Sequence, residues 1–303
     1  MAAVPGYRVF NVVLARKQLL SPSMLCCVFS GEEVRHMKMD APDQRIKLLF
    51  PALNGSPAAF SVEGSWWEQA KAMAAECRPI ARTYTIRRVN ADAGEMEVEF
   101  VMHGTEGPAS AWAAAAEPGD GLQIVAPNRD HCDDSGGYEW KPDPQAERAL
   151  VIADETALPA AKGILEQLAL RKTPPQVQIF LEVPKRSDCI DLSQFAFAEV
   201  HWLPREESGA SYGEALLSAV QQHVRLPEYA LTRQALREED EGEILWDRAA
   251  SEDIRFHGWV AAESRSVKHL RRHLIGECGL SQDTISFMAY WSRGRRRNKK
   301  RAT

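Results

Sequence analysis

Apolar residues follow two rhythms along this chain. Over the first 145 residues they fall in short runs rich in Val, Ile, Tyr and Phe, broken by Gly, Pro, Asn and Asp. Arg8–Leu14, Met24–Ser30, Arg45–Phe50, Ala81–Val89, Glu95–Met102 and Leu122–Ala126 read as strands, and six such runs predict a small antiparallel barrel. One helical segment, Ser110–Ala116, interrupts the last two. After Lys141-Pro142-Asp143-Pro144 the rhythm changes. Ala149–Ala153, Val177–Val183, Glu199–Leu203, Phe256–Ala262 and Ile285–Tyr290 are apolar runs of the buried-strand type. Helical stretches alternate with them. Leu158, Ala161, Leu165 and Leu168 share a helix face, with Thr156 placed as its N-cap, and Val267, Leu270 and Leu274 mark a second helix. Alternating strands and helices predict a Rossmann-like parallel sheet. The predicted organisation is a barrel over 1–145, an α/β domain over 146–294 and a short tail over 295–303.

Composition adds bounds. The chain has 303 residues, 45% of them hydrophobic and 26% charged, as in ordinary globular proteins of about two domains. No apolar run approaches the ~20 residues of a membrane span. The N-terminus lacks a basic segment followed by an apolar core, so a cytoplasmic protein that does not engage a membrane is expected. Six scattered cysteines include no C-x-x-C pair, so neither zinc nor an iron–sulfur cluster is signalled and redox chemistry would need an organic cofactor. The net charge is −5, yet Arg293 to Thr303 holds seven basic residues and no acidic ones. Such a tail is a solvated end or an attractor of an anionic ligand. Nothing beside it resembles a nucleic-acid-binding face. Arg237–Glu243 reads as an acidic solvated insertion, and His269 with His273 as part of a basic helix face rather than a metal pair.

Two stretches carry candidate chemistry. In Arg82-Thr83-Tyr84-Thr85-Ile86-Arg87, strand alternation sends Arg82 and Tyr84 to one face and Thr85 to the other. An aromatic ring, a hydroxyl and a guanidinium suit a flavin ring and a pyrophosphate, but the same residues are ordinary sheet packing. His103-Gly104-Thr105-Glu106-Gly107-Pro108-Ala109-Ser110-Ala111-Trp112 leaves a strand and opens a helix, which makes it either a simple loop and cap or an anion site.

Together with four further motifs, these stretches resemble the siderophore-interacting protein family. The others are Pro118-Gly119-Asp120, Asp154-Glu155-Thr156-Ala157-Leu158-Pro159-Ala160, the pairing of Trp259–Glu263 with Leu270–Leu274, and Phe287–Trp291. The order is that of the family from about Arg8 to Gly294. The resemblance implies a ferric-siderophore reductase, most simply a monomer, with FAD on the barrel and an NAD(P)H-binding-like second domain. NADH, NADPH or a ferredoxin would be the electron donor. It further implies that Arg82, Tyr84 and Thr85 hold the FAD ring and phosphates, with His103 and Gly104 acting through the backbone. Ala109 and Ser110 would cradle the pyrophosphate, Asp154, Thr156 and Ala157 would line the nicotinamide side, and Tyr290 or Trp291 would shield the cofactor. Lys47, Arg129 and Arg293 would meet the ferric siderophore.

The expected chemistry is coherent. Siderophores bind Fe(III) through anionic oxygens, Fe(II) is held far less tightly, and a flavin converts a two-electron donor into single electrons. Rival readings are a general flavin or ferredoxin-type oxidoreductase and a non-catalytic siderophore-binding protein. The chain also departs from the family pattern. Ala153 and Ala262 stand where glycine is usual, so their methyl groups are expected to crowd a nicotinamide. No G-x-G-x-x-G occurs, and Asp154 and Glu155 would repel a pyrophosphate. The third basic position of the siderophore site falls near Thr284 or Ser286, and the usual arginine after Tyr290-Trp291 is displaced to Arg293.

Overall fold

A computed structural model describes residues 4–104, 107–232, 244–250 and 255–293. The acidic segment Arg237–Glu243, the tail after Arg293, and Thr105 and Glu106 lie outside the described residues. Two compact units emerge. One contains the chain up to Tyr138 together with Pro159–Ile164, and the other the remainder.

The first unit is a sheet of seven strands, one more than expected. They are β1 (Tyr7–Ser21), β2 (Met24–Ser30), β3 (Arg45–Phe50), β4 (Ile80–Thr85), β5 (Arg88–Asn90), β6 (Glu95–Val101) and β7 (Gly121–Pro127). The extra strand comes from the run read as Ala81–Val89, which breaks at Ile86-Arg87. Ile86 N–H still donates to Gln44 O (2.9 Å) on the β3 side, while Arg87 N–H donates to Glu97 O (2.8 Å) on the β6 side. The sheet order is β4-β3-β7-β1-β2-β6-β5, so two strands consecutive in the chain sit at opposite ends of the order. Only a curved sheet permits that, as in a barrel. Alternate residues turn Phe10, Val12, Leu14, Phe29, Leu48, Phe50, Val98, Phe100 and Ile124 into one core. Helix α2 (Pro108–Ala115) adds Ala113 to that core, and its Trp112 packs on Phe29 and Phe50 at centroid distances of 5.8 and 5.9 Å. The tryptophan of the H-G-x-x-G-P-A-S-x-W motif is therefore a packing residue. Helix α1 (Trp66–Ala72) covers the outer face, where Trp66 packs with Phe60, Leu49 and Val125 while Trp67 is exposed.

The second unit has a six-stranded sheet of order β10-β9-β8-β12-β13-β11. Its strands are β8 (Arg148–Ala153), β9 (Gln176–Val183), β10 (Ala198–Pro204), β11 (Trp246–Asp247), β12 (Phe256–Glu263) and β13 (Ile285–Trp291). The five expected strands are parallel, and the short β11 runs antiparallel to β13 at the edge, so the sheet is mixed. Between them lie helices α3 (Leu158–Ala169), α4 (Arg205–Ser208), α5 (Glu214–His223) and α6 (Ser264–Arg271), the last continuing as a π-helical turn over Arg272–Glu277. Leu158, Ala161, Leu165 and Leu168 are buried as their spacing requires. Thr156, however, is not the cap of α3. Ala157 occupies that position, because the Thr156 hydroxyl donates instead to Asp154 Oδ1 (2.5 Å). The chain adds β9 and β10 on one side of β8 and then returns to place β12 on the other, so the topological switch point lies between β8 and β12.

His257, on β12, is buried with its ring edge-on to Trp140 (5.0 Å), and its Nε2 has no partner among the described residues. Burial, helped by Arg171, pushes its imidazole down to about 4. The unfolded chain protonates this residue near pH 6.5 and the folded chain only near 4, so its contribution is intact above pH 6.5 and is lost as pH falls through that window. The loss is ~3 kcal/mol at full extent. Urea titrations of wild type and His257→Leu at pH 7 and 4.5 should show a smaller acid loss in the variant; equal losses would mean that the ring takes no part.

Candidate functional site

In the first unit, cross-strand pairing places Arg45 opposite Thr85, Lys47 opposite Thr83 and Leu48 opposite Arg82. Tyr84 packs its ring 4.6 Å from that of Phe100, and Phe100 in turn lies 6.4 Å from Trp112 of α2. This aromatic chain ties the Arg82–Tyr84 strand to α2. Burial raises the Tyr84 phenol well above its usual range, so it stays protonated. Arg82 is exposed, whereas Thr85 is buried on the opposite face, as alternation predicts. Lys47 Nζ donates to Thr83 Oγ1 (2.5 Å), so Lys47 shares the Thr83 and Thr85 face rather than that of Arg82 and Tyr84. Burial, with Arg45 nearby, lowers its ammonium below the usual lysine value. Arg129 is exposed beyond β7, with its backbone N–H held by His36 O (2.8 Å).

Among the described residues, no side chain caps the start of α2. Its N-cap is Gly107, which has no side chain to offer, and its first turn contains no acidic residue. Pro108 sits at the first helical position, where a missing N–H costs nothing. Ser110 is buried and its hydroxyl donates to Val101 O (3.3 Å), which pins the helix to β6 and leaves the backbone as the part able to meet an anion. Ala109 is likewise buried, and His103 is exposed. Gly104 has φ +90 with nothing within 4 Å of an added Cβ, so the position needs glycine for its backbone conformation and not for space.

In the second unit, functional side chains gather at the C-terminal ends of the parallel strands. Asp154 follows β8 and is fully enclosed. Its Oδ2 accepts from Trp291 Nε1 (2.8 Å) and Glu263 N–H (2.8 Å), and its Oδ1 accepts from Thr156 N–H (2.9 Å) and Thr156 Oγ1. Burial and the charge of Glu155 push its carboxyl up to about 7, against the pull of those donors. Asp154, Thr156 and Trp291 thus meet, although Trp291 lies 137 residues further along the chain. Tyr290 points elsewhere, stacking on Trp246 (6.3 Å) and meeting Trp259 edge-on (6.1 Å). Arg293 is exposed, with its guanidinium 5.4 Å from the Tyr212 ring centre. Ala157 and Ala153 are buried, and the methyl of Ala262 belongs to the core with Val260, Val267 and Leu270. Ala262 is therefore packing, which corrects the expectation that it crowds a ligand.

Sequence reasoning passed over the partners of this group. Arg205, directly after β10, forms a two-pronged ion pair with Glu155 (2.6 and 2.8 Å), reaches Glu182 Oε1 (3.1 Å) and stacks over Tyr212 (3.9 Å). Glu182 also accepts from Gly213 N–H (2.9 Å) and Leu216 N–H (3.2 Å), and burial raises its carboxyl. Glu263 accepts from Arg265 N–H (2.6 Å) and Ser266 N–H (3.3 Å) at the start of α6, and from Arg293 N–H (3.1 Å). The available signal was a charged residue at the C-terminal end of an apolar strand, as in Ile179-Phe180-Leu181-Glu182.

A curved antiparallel sheet followed in the chain by an α/β unit with a largely parallel sheet is the arrangement of the ferredoxin reductase fold. A ferredoxin NADP+ reductase from Neisseria gonorrhoeae shares that fold, with a TM-score of 0.54, 14% identity and coverage of 89% of this chain and 91% of that one. The model of the siderophore-interacting FAD-binding domain matches residues 13–131, and that of the siderophore-interacting protein matches residues 146–294. The chain belongs to the siderophore-interacting protein family. It is 28% identical to the ferric vibriobactin reductase ViuB of Vibrio cholerae over 285 residues, covering 92% of this chain and 88% of the relative. A siderophore utilization protein from T. fusca superposes with a TM-score of 0.69 at 26% identity, covering 95% of this chain and 94% of that one.

Arg205→Leu should destabilise the fold by ~3–5 kcal/mol, because Glu155 and Glu182 would stay buried without their cation. Arg205→Lys should recover only part of this, since an ammonium cannot reproduce the two-pronged contact. Thermal or chemical denaturation measures both, and a Leu variant as stable as wild type would remove the network from the account.

Proposed function

We propose that this chain is a cytoplasmic ferric-siderophore reductase that holds FAD on its first unit and delivers electrons to siderophore-bound Fe(III), releasing Fe(II). The observation that supports the reading is the Tyr84–Phe100–Trp112 chain of rings, which ties the strand carrying Arg82 and Tyr84 to α2, a helix whose N-cap is Gly107. FAD fits these residues: the start of α2 supplies backbone N–H groups for a pyrophosphate, Arg82 a guanidinium, and Tyr84 a ring face. Bound there, FAD would supply single-electron reduction from a nicotinamide or ferredoxin donor. The family and the likeness to ViuB support a ferric siderophore as substrate. Lys47 sits in a half-buried position, where its ammonium can attract the anionic iron complex. Its bond to Thr83 orients the ammonium on the Thr85 face.

The purified protein should be yellow and release one FAD per chain, as absorbance and cofactor extraction report. Arg82→Ala should weaken FAD retention by ~1.5–3 kcal/mol, more than Tyr84→Phe, which keeps the ring. FMN, haem, or no uptake of FAD would refute the cofactor assignment, and equal affinities would refute the two roles.

Lys47→Glu should raise the KM for an anionic ferric siderophore about tenfold while FAD content is unchanged. A neutral ferric siderophore should respond much less. Steady-state rates with both substrates decide the matter: equal slowing, or none, returns Lys47 to a surface lysine.

A further inference from the structure

Helix α6 ends in a way that gives His273 a different setting from the basic helix face expected of it. The chain widens there into the π-helical turn Arg272–Glu277, and Cys278 N–H donates to His273 O five residues back (2.9 Å). In an α-helix, side chains three and four apart are neighbours and those five apart diverge, whereas the wider turn brings His273 and Cys278 together. Cys278 Sγ lies 3.4 Å from His273 Nε2. The other ring nitrogen, Nδ1, lies 2.7 Å from Glu277 Oε2. A carboxylate can only accept, so Nδ1 carries its hydrogen, and in the neutral ring Nε2 is left as an acceptor facing the thiol. The histidine side chain is 12% exposed and that of Glu277 58%, so the ring is sheltered while its carboxylate partner meets water. The turn is held firmly. Leu274 and Ile275 are buried in the core of the second unit, Gly279 closes the helix at φ +77, and its carbonyl accepts from Thr232 N–H (2.6 Å). The Cys278 thiol is half-buried and not sealed from solvent.

We propose that Cys278, His273 and Glu277 act as a nucleophile, its general base and the group that positions the base, which makes Cys278 a site of oxidation by hydroperoxides. Burial and the charge of Glu277 raise the thiol above its usual range, so at rest it keeps its proton. The reactive thiolate therefore has to be generated in the step itself, which is the task of Nε2. Sulfur attacks the distal oxygen of the peroxide, an S–O bond forms and the O–O bond breaks. The thiol proton passes to Nε2, and the ring returns it to the departing oxygen. The products are a sulfenic acid and an alcohol, or water from hydrogen peroxide, with sulfur oxidised and the peroxide reduced by two electrons. A half-buried thiol favours a small electrophile. A hydroperoxide is small, and its leaving oxygen needs the proton that the histidine has just taken. Cys132 is the more exposed thiol, so accessibility alone would favour oxidation there. The site lies wholly in the second unit and uses no flavin, so it stands apart from the proposed function.

Timed exposure to hydrogen peroxide, with dimedone to trap sulfenic acid and a chelator to hold stray metal, tests the assignment when each cysteine is followed by mass spectrometry. At pH 7, His273→Gln should slow labelling of Cys278 about tenfold or more and Glu277→Ala about threefold, while Cys132 in the same samples is unaffected. The pH profile separates this role from a contact that only packs the turn. Without the base, labelling should climb about tenfold per pH unit between pH 6 and 8 with the thiolate fraction, and the wild-type profile should be flatter. A wild-type Cys278 that takes no label, a folded His273→Gln variant with an unchanged rate, or parallel pH profiles would overturn the proposal. Circular dichroism reports folding. If His273→Gln does not fold, Glu277→Ala and the wild-type profile decide, and an unchanged Glu277→Ala rate with a steep wild-type profile overturns it.

Discussion

The second unit depends on how it accommodates carboxylates that its sheet encloses. Asp154 is the centre of this arrangement. Four donors converge on it from the turn after β8, the end of β12 and the end of β13. A polar group so deeply enclosed is tolerated only if its partners are fixed, and fixing them joins three separate strand ends. Glu155 beside it would add repulsion, and Arg205 answers that charge with a two-pronged contact while also reaching Glu182. The edge of this sheet is thus a network in which each buried charge needs the next.

The first unit meets a different constraint. Its sheet must curve because β4 and β5, separated by two residues, occupy opposite ends of the strand order. The curvature turns Phe10, Phe29, Phe50 and Phe100 inward, and α2 is held against that core by Trp112. Fixing α2 through an aromatic contact, and not through side-chain capping, leaves its start open. The same core therefore supplies the packing energy and also holds the helix start at which the proposed anion site lies.

Helix starts are treated in opposite ways within one polypeptide. The backbone chemistry at α2, α5 and α6 is the same, with a positive dipole end and N–H groups that lack partners within the helix. At α2 no side chain caps the helix, whereas carboxylates from strand ends accept from the starts of α5 and α6. Likeness of fold to dinucleotide-binding reductases cannot report this difference, because strand order and helix placement are unchanged by it.

Period and spacing in the sequence determined much of this architecture. Met24–Ser30 and Arg45–Phe50 were legible to the residue, and the five parallel strands to within one residue at each end, because two faces of helices make such strands almost wholly apolar. Strand alternation likewise set Arg82 and Tyr84 apart from Thr85. What the sequence left undetermined depended on contacts between distant segments. The break at Ile86-Arg87 is dictated by which neighbour each N–H finds, and the hydroxyl of Thr156 prefers the Asp154 carboxylate to capping α3. Trp291 reaches Asp154 across 137 residues, Arg205 pairs with Glu155 across 50, and the methyl of Ala262 falls into the core. Local periodicity carries no information about such pairs. Whether a charged residue at the end of a strand faces a ligand or a helix of its own chain is decided only when the sheet brings that helix to it.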